Sequence, residues 1–152
     1  MYYHASNNEL IANFKADGSA NNAVSSDVVE NDGLWHHVCS TWNSTEDIKI
    51  YLDGTLKDTT SIAGDFTGSF SSAAIGNNAA GGGFWIGNID EVRISNNARY
   101  TSAFTDFGQD GGTISSPTPF TSDANTLLLV HGEATAGVTG KVAQLNGWAV
   151  NY

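Results

Sequence analysis

The sequence is short of cysteine, proline, methionine and, above all, positive charge. Its 152 residues include one Cys, two Pro, one Met and only six Lys or Arg. A single cysteine, Cys39, cannot close an internal disulfide, which fits a chain built to fold in a reducing cytoplasm. It sits within an apolar stretch and reads as a small buried hydrophobe rather than a reactive thiol. Six cations against 16 Asp and Glu leave a formal charge of −10. A surface of that sign repels phosphate, so neither nucleic acid nor an anionic membrane is expected as a partner. No apolar run approaches the roughly 18 residues of a spanning helix, so membrane insertion is not expected. Met1 leads directly into structural sequence with no cationic and apolar leader, so no secretory signal is expected.

What is present is turn chemistry beside strand formers. The 17 Gly, 15 Asn, 15 Ser and 14 Thr outnumber the strong helix formers, while hydrophobic residues at 40% suffice for a packed core. Acidic disordered chains are poor in aromatics and rich in charge, unlike this one. Many short strands separated by turns are expected, in one domain spanning residues 1–152.

The strands can be placed by pattern. Leu10–Phe14 is a short apolar run ending at the hairpin dipeptide Asp17-Gly18, and Ala23–Val29 is a weaker second strand. Leu34–Trp42 reads as a strand, followed by a polar turn and then Ile48–Leu52, whose alternation puts Ile48, Ile50 and Leu52 on one face. Asp53-Gly54 is the strongest hairpin signal, and Thr55–Ile62 is its return strand. A Gly/Ser/Asn/Ala-rich stretch over 64–83 has room for one short strand near Ser72–Gly76. Phe84–Ile94 is the next strand, bent at Gly87-Asn88. Ser95–Phe104 reads as a turn or one or two helical turns, 106–125 as loop, and Thr126–His131 with the tail to 152 as the closing strands. Nine or ten strands without intervening helices mean an all-β, antiparallel sandwich or barrel.

Within this pattern, Gly33-Leu34-Trp35-His36-His37-Val38, Ile50-Tyr51-Leu52-Asp53-Gly54, Ile75-Gly76 and Phe84-Trp85-Ile86-Gly87-Asn88-Ile89-Asp90-Glu91-Val92-Arg93-Ile94 match, in order and spacing, the motifs of the laminin-G-like, concanavalin A-like lectin/glucanase domain. The chain resembles that family over 32–99, which implies an antiparallel β-sandwich of jelly-roll type. Asn97–Thr105 and Phe120–Leu129 are similar to the closing segments of such domains in tailed-phage virion proteins. The resemblance departs at the N-terminus, where such domains carry two or three strands before the position of Leu10. Here those strands are missing or very short. Residues 127–152 or a neighbouring subunit could fill the vacancy.

Most marked residues have a structural reading first. Trp35 and Val38 are expected to plug the space between sheets. His36 and His37, adjacent on a strand, face opposite ways and cannot easily ligate one ion. Asp53 and Gly54 form a turn and Gly87 a bend. Glu91 and Arg93 share a strand face as an ion pair. Glycoside hydrolysis needs two carboxyls roughly 5–9 Å apart. Asp90 and Glu91 are adjacent and diverge, and the sequence has no Glu-x-Asp-x-Glu run, so an enzyme is not expected.

The resemblance implies two further possibilities. Calcium could be held at a loop rim by Asp32 and Asp90, with Asp106, Asp110 and Asp123 as other acidic-loop candidates. A glycan could stack on Trp42, Tyr51, Trp85 or Trp148, with Asn77 and Asn78 bonding its hydroxyls. The reading that follows is a non-enzymatic virion module, either capsid decoration or tail-fibre component. It would be assembled in a host cytoplasm, partnered by other virion proteins and copies of itself, and able to hold cell-surface glycans. The alternative is an extracellular carbohydrate-binding module or accessory domain of a polysaccharide-degrading enzyme.

Overall fold

A computed structural model describes residues 1–4, 9–15, 21–27, 33–42, 47–61, 75–76, 85, 87–105 and 119–131. Among them are eight strands and no helix: β1 (Tyr2–His4), β2 (Glu9–Lys15), β3 (Asn21–Asp27), β4 (Val38–Thr41), β5 (Asp47–Leu52), β6 (Thr55–Ser61), β7 (Val92–Ser95) and β8 (Thr126–Val130). All pair antiparallel, in the orders β1-β2-β3, β4-β5-β6 and β7-β8. The chain folds as an all-β antiparallel sandwich.

The first two sheets share one core. Alternation along β2 turns Leu10 and Ala12 to one face, and alternation along β5 does the same for Ile48, Ile50 and Leu52; these five side chains form a single buried cluster with Trp42 packed against it. β3 runs alongside β5 and β6. Tyr51, on the opposite face of β5, is also fully buried. That second face lies beneath residues 100–104. Lys49 Nζ donates to the Thr101 carbonyl at 3.3 Å, the Tyr51 hydroxyl to the Tyr100 carbonyl at 3.3 Å, and Phe104 N to the Gly54 carbonyl at 2.9 Å. Cover on both faces explains why β5 needs apolar residues on both.

The Asp53-Gly54 hairpin forms as its residues require. Both have positive φ, 48° and 71°, the signature of a two-residue type I′ turn, and Leu52 pairs with Thr55 across it.

Elsewhere the strands are shorter than the hydrophobic pattern suggests. Of Leu34–Trp42 only Val38–Thr41 is a strand, with Trp35 in an isolated bridge. Val38 is 36% exposed rather than a plug between sheets, and Trp35 is only half-buried. Residues 87–91 are not extended: Gly87 (φ 151°) and Glu91 (φ 52°) break the run, so β7 begins only at Val92. Residues 96–104 carry bends and no helical turn. One three-residue strand, β1, precedes Leu10 and pairs with β2. The expected strand near Ser72–Gly76 is described only at Ile75 and Gly76, which form a bend. The 106–118 loop and the tail beyond His131 lie outside the described residues.

Ile50 has no exposed surface, so truncating it leaves a void that neighbours pinned in two sheets fill poorly. Ile50→Ala should lower unfolding free energy by about 2–5 kcal/mol in urea titration, whereas Leu56→Ala, on a side chain 38% exposed, should change it by less than about 1 kcal/mol.

Candidate functional site

Two regions gather the residues singled out by sequence: a buried network around His37, and a surface around Trp85.

The network begins at the Asp53 turn. Asp53 Oδ2 accepts from His36 Nδ1 at 2.8 Å, Asp53 Oδ1 accepts from His37 N at 2.9 Å, and Asp53 N donates to the His37 carbonyl at 2.9 Å. This clasp fixes the chain entering β4 and delivers the His37 ring into an aromatic cage. The ring meets Tyr100, Phe104 and Phe120 edge-on, with centroids 6.1, 5.5 and 6.1 Å away. Tyr100 and Phe104 stack on each other at 3.6 Å, and Phe104 also abuts Tyr51. The Arg93 guanidinium lies 4.2 Å over the Phe120 ring and donates to the Tyr100 hydroxyl at 3.1 Å. A cation over an aromatic face, with its donors aimed at a phenol, is well satisfied at that depth.

Glu91 closes the network from the other side. Its side chain is only 8% exposed. Oε2 accepts from Phe120 N at 2.7 Å, and Oε1 accepts from His131 Nδ1 at 2.7 Å. Glu91 is therefore not the strand partner of Arg93 that its spacing suggests. From a left-handed backbone position its carboxylate bonds Phe120 N and the His131 ring. Asp90 Oδ1 accepts from Glu91 N at 2.7 Å, capping the same kink.

Asp123 is equally committed. The Arg99 guanidinium grips it with two bonds of 2.8 and 2.6 Å, and Arg99 Nε donates to Ser95 Oγ at 2.6 Å. That bidentate contact, helped by Thr126, holds the Asp123 carboxyl well below the usual carboxylate range. Sequence reasoning missed Arg99 as the link between its two segments. The signal available was the last cation before β8, ahead of the Asp123-Ala124-Asn125-Thr126 turn that opens it.

Burial governs the titration of the network. It lowers His37 from an ordinary 6.5 to about 4; Asp53 opposes that effect and Arg93 reinforces it. Burial also pushes the Cys39 thiol up to about 12, leaving it inert near neutrality, as a small hydrophobe would be.

The Trp85 surface is assembled differently. Trp85 N donates to the Gly76 carbonyl at 2.7 Å. A Cβ on Gly87 would lie 2.9 Å from the indole Nε1, so only glycine lets the ring lie where it does, and one on Gly76 would touch Ile89 Cδ1 at 3.4 Å. The indole is 40% exposed; Ile75, next to Gly76 in the chain, and Ile89, near Gly76 in space, are 51% and 42% exposed. Of the other candidate platforms, Tyr51 is enclosed and offers no face to a ligand, and Trp42 packs on the core. Asn77, Asn78 and Trp148 lie outside the described residues. In the sequence Ile75 and Ile89 stand out only as members of the family motifs, not as part of a surface.

For calcium, the described residues do not fit. No three of His, Cys, Asp or Glu among them converge on a cation position. Asp90 is turned to its own backbone and Asp123 to Arg99. Asp32, Asp106 and Asp110 lie outside the described residues. No described helix is long and apolar enough to cross a membrane.

His37 yields a pH dependence of definite sign. Below about 6.5 the unfolded chain takes up a proton that the folded chain refuses until about 4. Stability should therefore fall as pH drops from 6.5 to 4, by roughly 3 kcal/mol from this residue, and level off below. Urea midpoints across that range should show this slope in the parent and a shallower one in His37→Phe.

The family model described as the concanavalin A-like lectin/glucanases superfamily, Laminin_G_3, matches residues 1–103. The match extends beyond the 32–99 motif segment to include β1, β2 and β3, and stops one residue short of Phe104. Neither the comparison with curated proteins nor that with solved structures returned a match. With two thirds of its length matched, the chain belongs to the concanavalin A-like lectin/glucanases superfamily.

Proposed function

We propose that this chain is a non-enzymatic virion module that holds glycans through the surface around Trp85. The observation that carries the reading is the contrast between the two regions. Where their bonding is described, the carboxylates an enzyme of this fold would need are engaged internally. Asp53 is held by His36 and His37, Glu91 by Phe120 and His131, and Asp90 by Glu91 N. Trp85, in contrast, is 40% exposed beside Gly87, where only glycine leaves room for its ring. An exposed indole face suits the apolar face of a sugar ring.

The virion reading rests on the two segments similar to phage closing segments, Asn97–Thr105 and Phe120–Leu129, which Arg99 joins by clasping Asp123 and Thr126. The fold alone does not choose among its many functions. In this reading calcium has no part in the Trp85 surface, and the partners are neighbouring virion proteins and cell-surface glycans.

A glycan array with the full chain should give hits that Trp85→Ala weakens at least about tenfold, the loss expected when an aromatic anchor is truncated. Antibody raised against the chain should label intact particles in electron micrographs. An array without hits removes the adhesion role, and unlabelled particles remove the virion role.

A further inference from the structure

The part of the chain that carries the Trp85 surface has no charge of either sign. Residues 66–89 contain no Lys, Arg, His, Asp or Glu. In a chain with 16 Asp and Glu and a formal charge of −10, a neutral stretch of that length differs sharply from the rest. Every described residue of the surface falls inside it: Ile75, Gly76, Trp85, Gly87, Asn88 and Ile89. Ile75, Trp85 and Ile89 are 51%, 40% and 42% exposed, and Asn88 is exposed beside them in the chain. What these residues offer a ligand is an indole, two aliphatic side chains, one amide and backbone.

The charges that follow are already engaged. Asp90, the next charged residue, turns its Oδ1 to Glu91 N at 2.7 Å. Arg93 lies over the Phe120 ring and donates to the Tyr100 hydroxyl. Arg99 holds Asp123 with two bonds, and Lys49 Nζ donates to the Thr101 carbonyl. Lys57 belongs to β6, and the side chains of Lys15 and Lys141 lie outside the described residues.

A ligand's own charge therefore decides how well it suits this surface. A carboxylate or sulfate pressed against it sheds water and meets no counter-ion, and an unpaired desolvated ion costs more than a ring contact returns. The negative field of the whole chain adds to that cost. An ammonium group is drawn by the field but finds no carboxylate in the stretch to receive it. An uncharged sugar meets neither obstacle. The apolar face of its ring lies on the indole, and its hydroxyls suit an amide, which has two donors and an acceptor.

Resting on the reading that this surface holds glycans, we propose that it selects uncharged sugars and does so without an ionic contact. The test is an array that carries neutral glycans beside their sialylated, uronic-acid and sulfated counterparts, probed with the full chain and with Trp85→Ala. The expected result is hits on neutral members that Trp85→Ala weakens, with the acidic counterparts bound at least about tenfold less well. Dissociation constants for the neutral hits should change by less than about twofold between about 0.1 and 1 M NaCl, over which the screening length falls from about 10 to about 3 Å. Acidic hits that Trp85→Ala weakens would overturn the proposal and leave the glycan reading standing. A several-fold loss of affinity for neutral glycans over that salt range would do the same. An array with no hits would remove both.

Discussion

The structure depends first on one carboxylate. Asp53 sits in a left-handed turn residue and accepts from the His36 ring and the His37 backbone, while its own N–H returns a bond to His37. Three bonds from one residue fasten the hairpin β5-β6 to the chain entering β4. A bond to a charged acceptor is worth more than a neutral one, and a buried donor left without it is expensive. The clasp also decides where the His37 ring goes. Because both the backbone and the neighbouring imidazole are held, the ring enters the cage of Tyr100, Phe104 and Phe120. Through Phe120 that cage reaches Glu91 and His131.

The described carboxylates of this molecule satisfy internal donors. The carboxylates at kinks, Asp53, Asp90 and Glu91, satisfy backbone and imidazole donors where strands bend or end. Asp123 does the same for Arg99 at the entrance to β8. Asp53, Asp90, Glu91 and Asp123 are thereby internal fasteners. Glycine has a parallel role at the Trp85 surface, where Gly87 makes room for an indole that any side chain would displace.

The sandwich was legible because its signals are local and periodic. The alternation of Ile48, Ile50 and Leu52 and the Asp53-Gly54 dipeptide leave little choice of strand or turn, and both are found. The motif segment also identified the family before any coordinates. What stayed hidden depends on contacts between distant residues. Val38 looks like core by its neighbours in sequence, yet it sits near an exposed end of its strand. Glu91 looks like a partner for Arg93, yet a left-handed backbone and the arrival of Phe120 and His131 redirect it. Tyr51 looks like a polar strand residue that could face solvent. It is enclosed because residues 100–104 return over the far face of β5, a path no strand pattern encodes. The Trp85 surface was half-legible: the indole and Gly87 were marked, but Ile75 and Ile89 join them only through folding.

If Asp53 is the fastener on which the rest depends, its removal should be felt well beyond the turn. The direct measurement is equilibrium urea unfolding of the parent and of Asp53→Ala, followed both by far-ultraviolet circular dichroism and by tryptophan fluorescence. Losing the charge-assisted bond and stranding the His37 N–H should lower stability by about 3 kcal/mol, with both signals moving together. A variant as stable as the parent, or one whose loss is confined to a few tenths of a kcal/mol, would contradict the account.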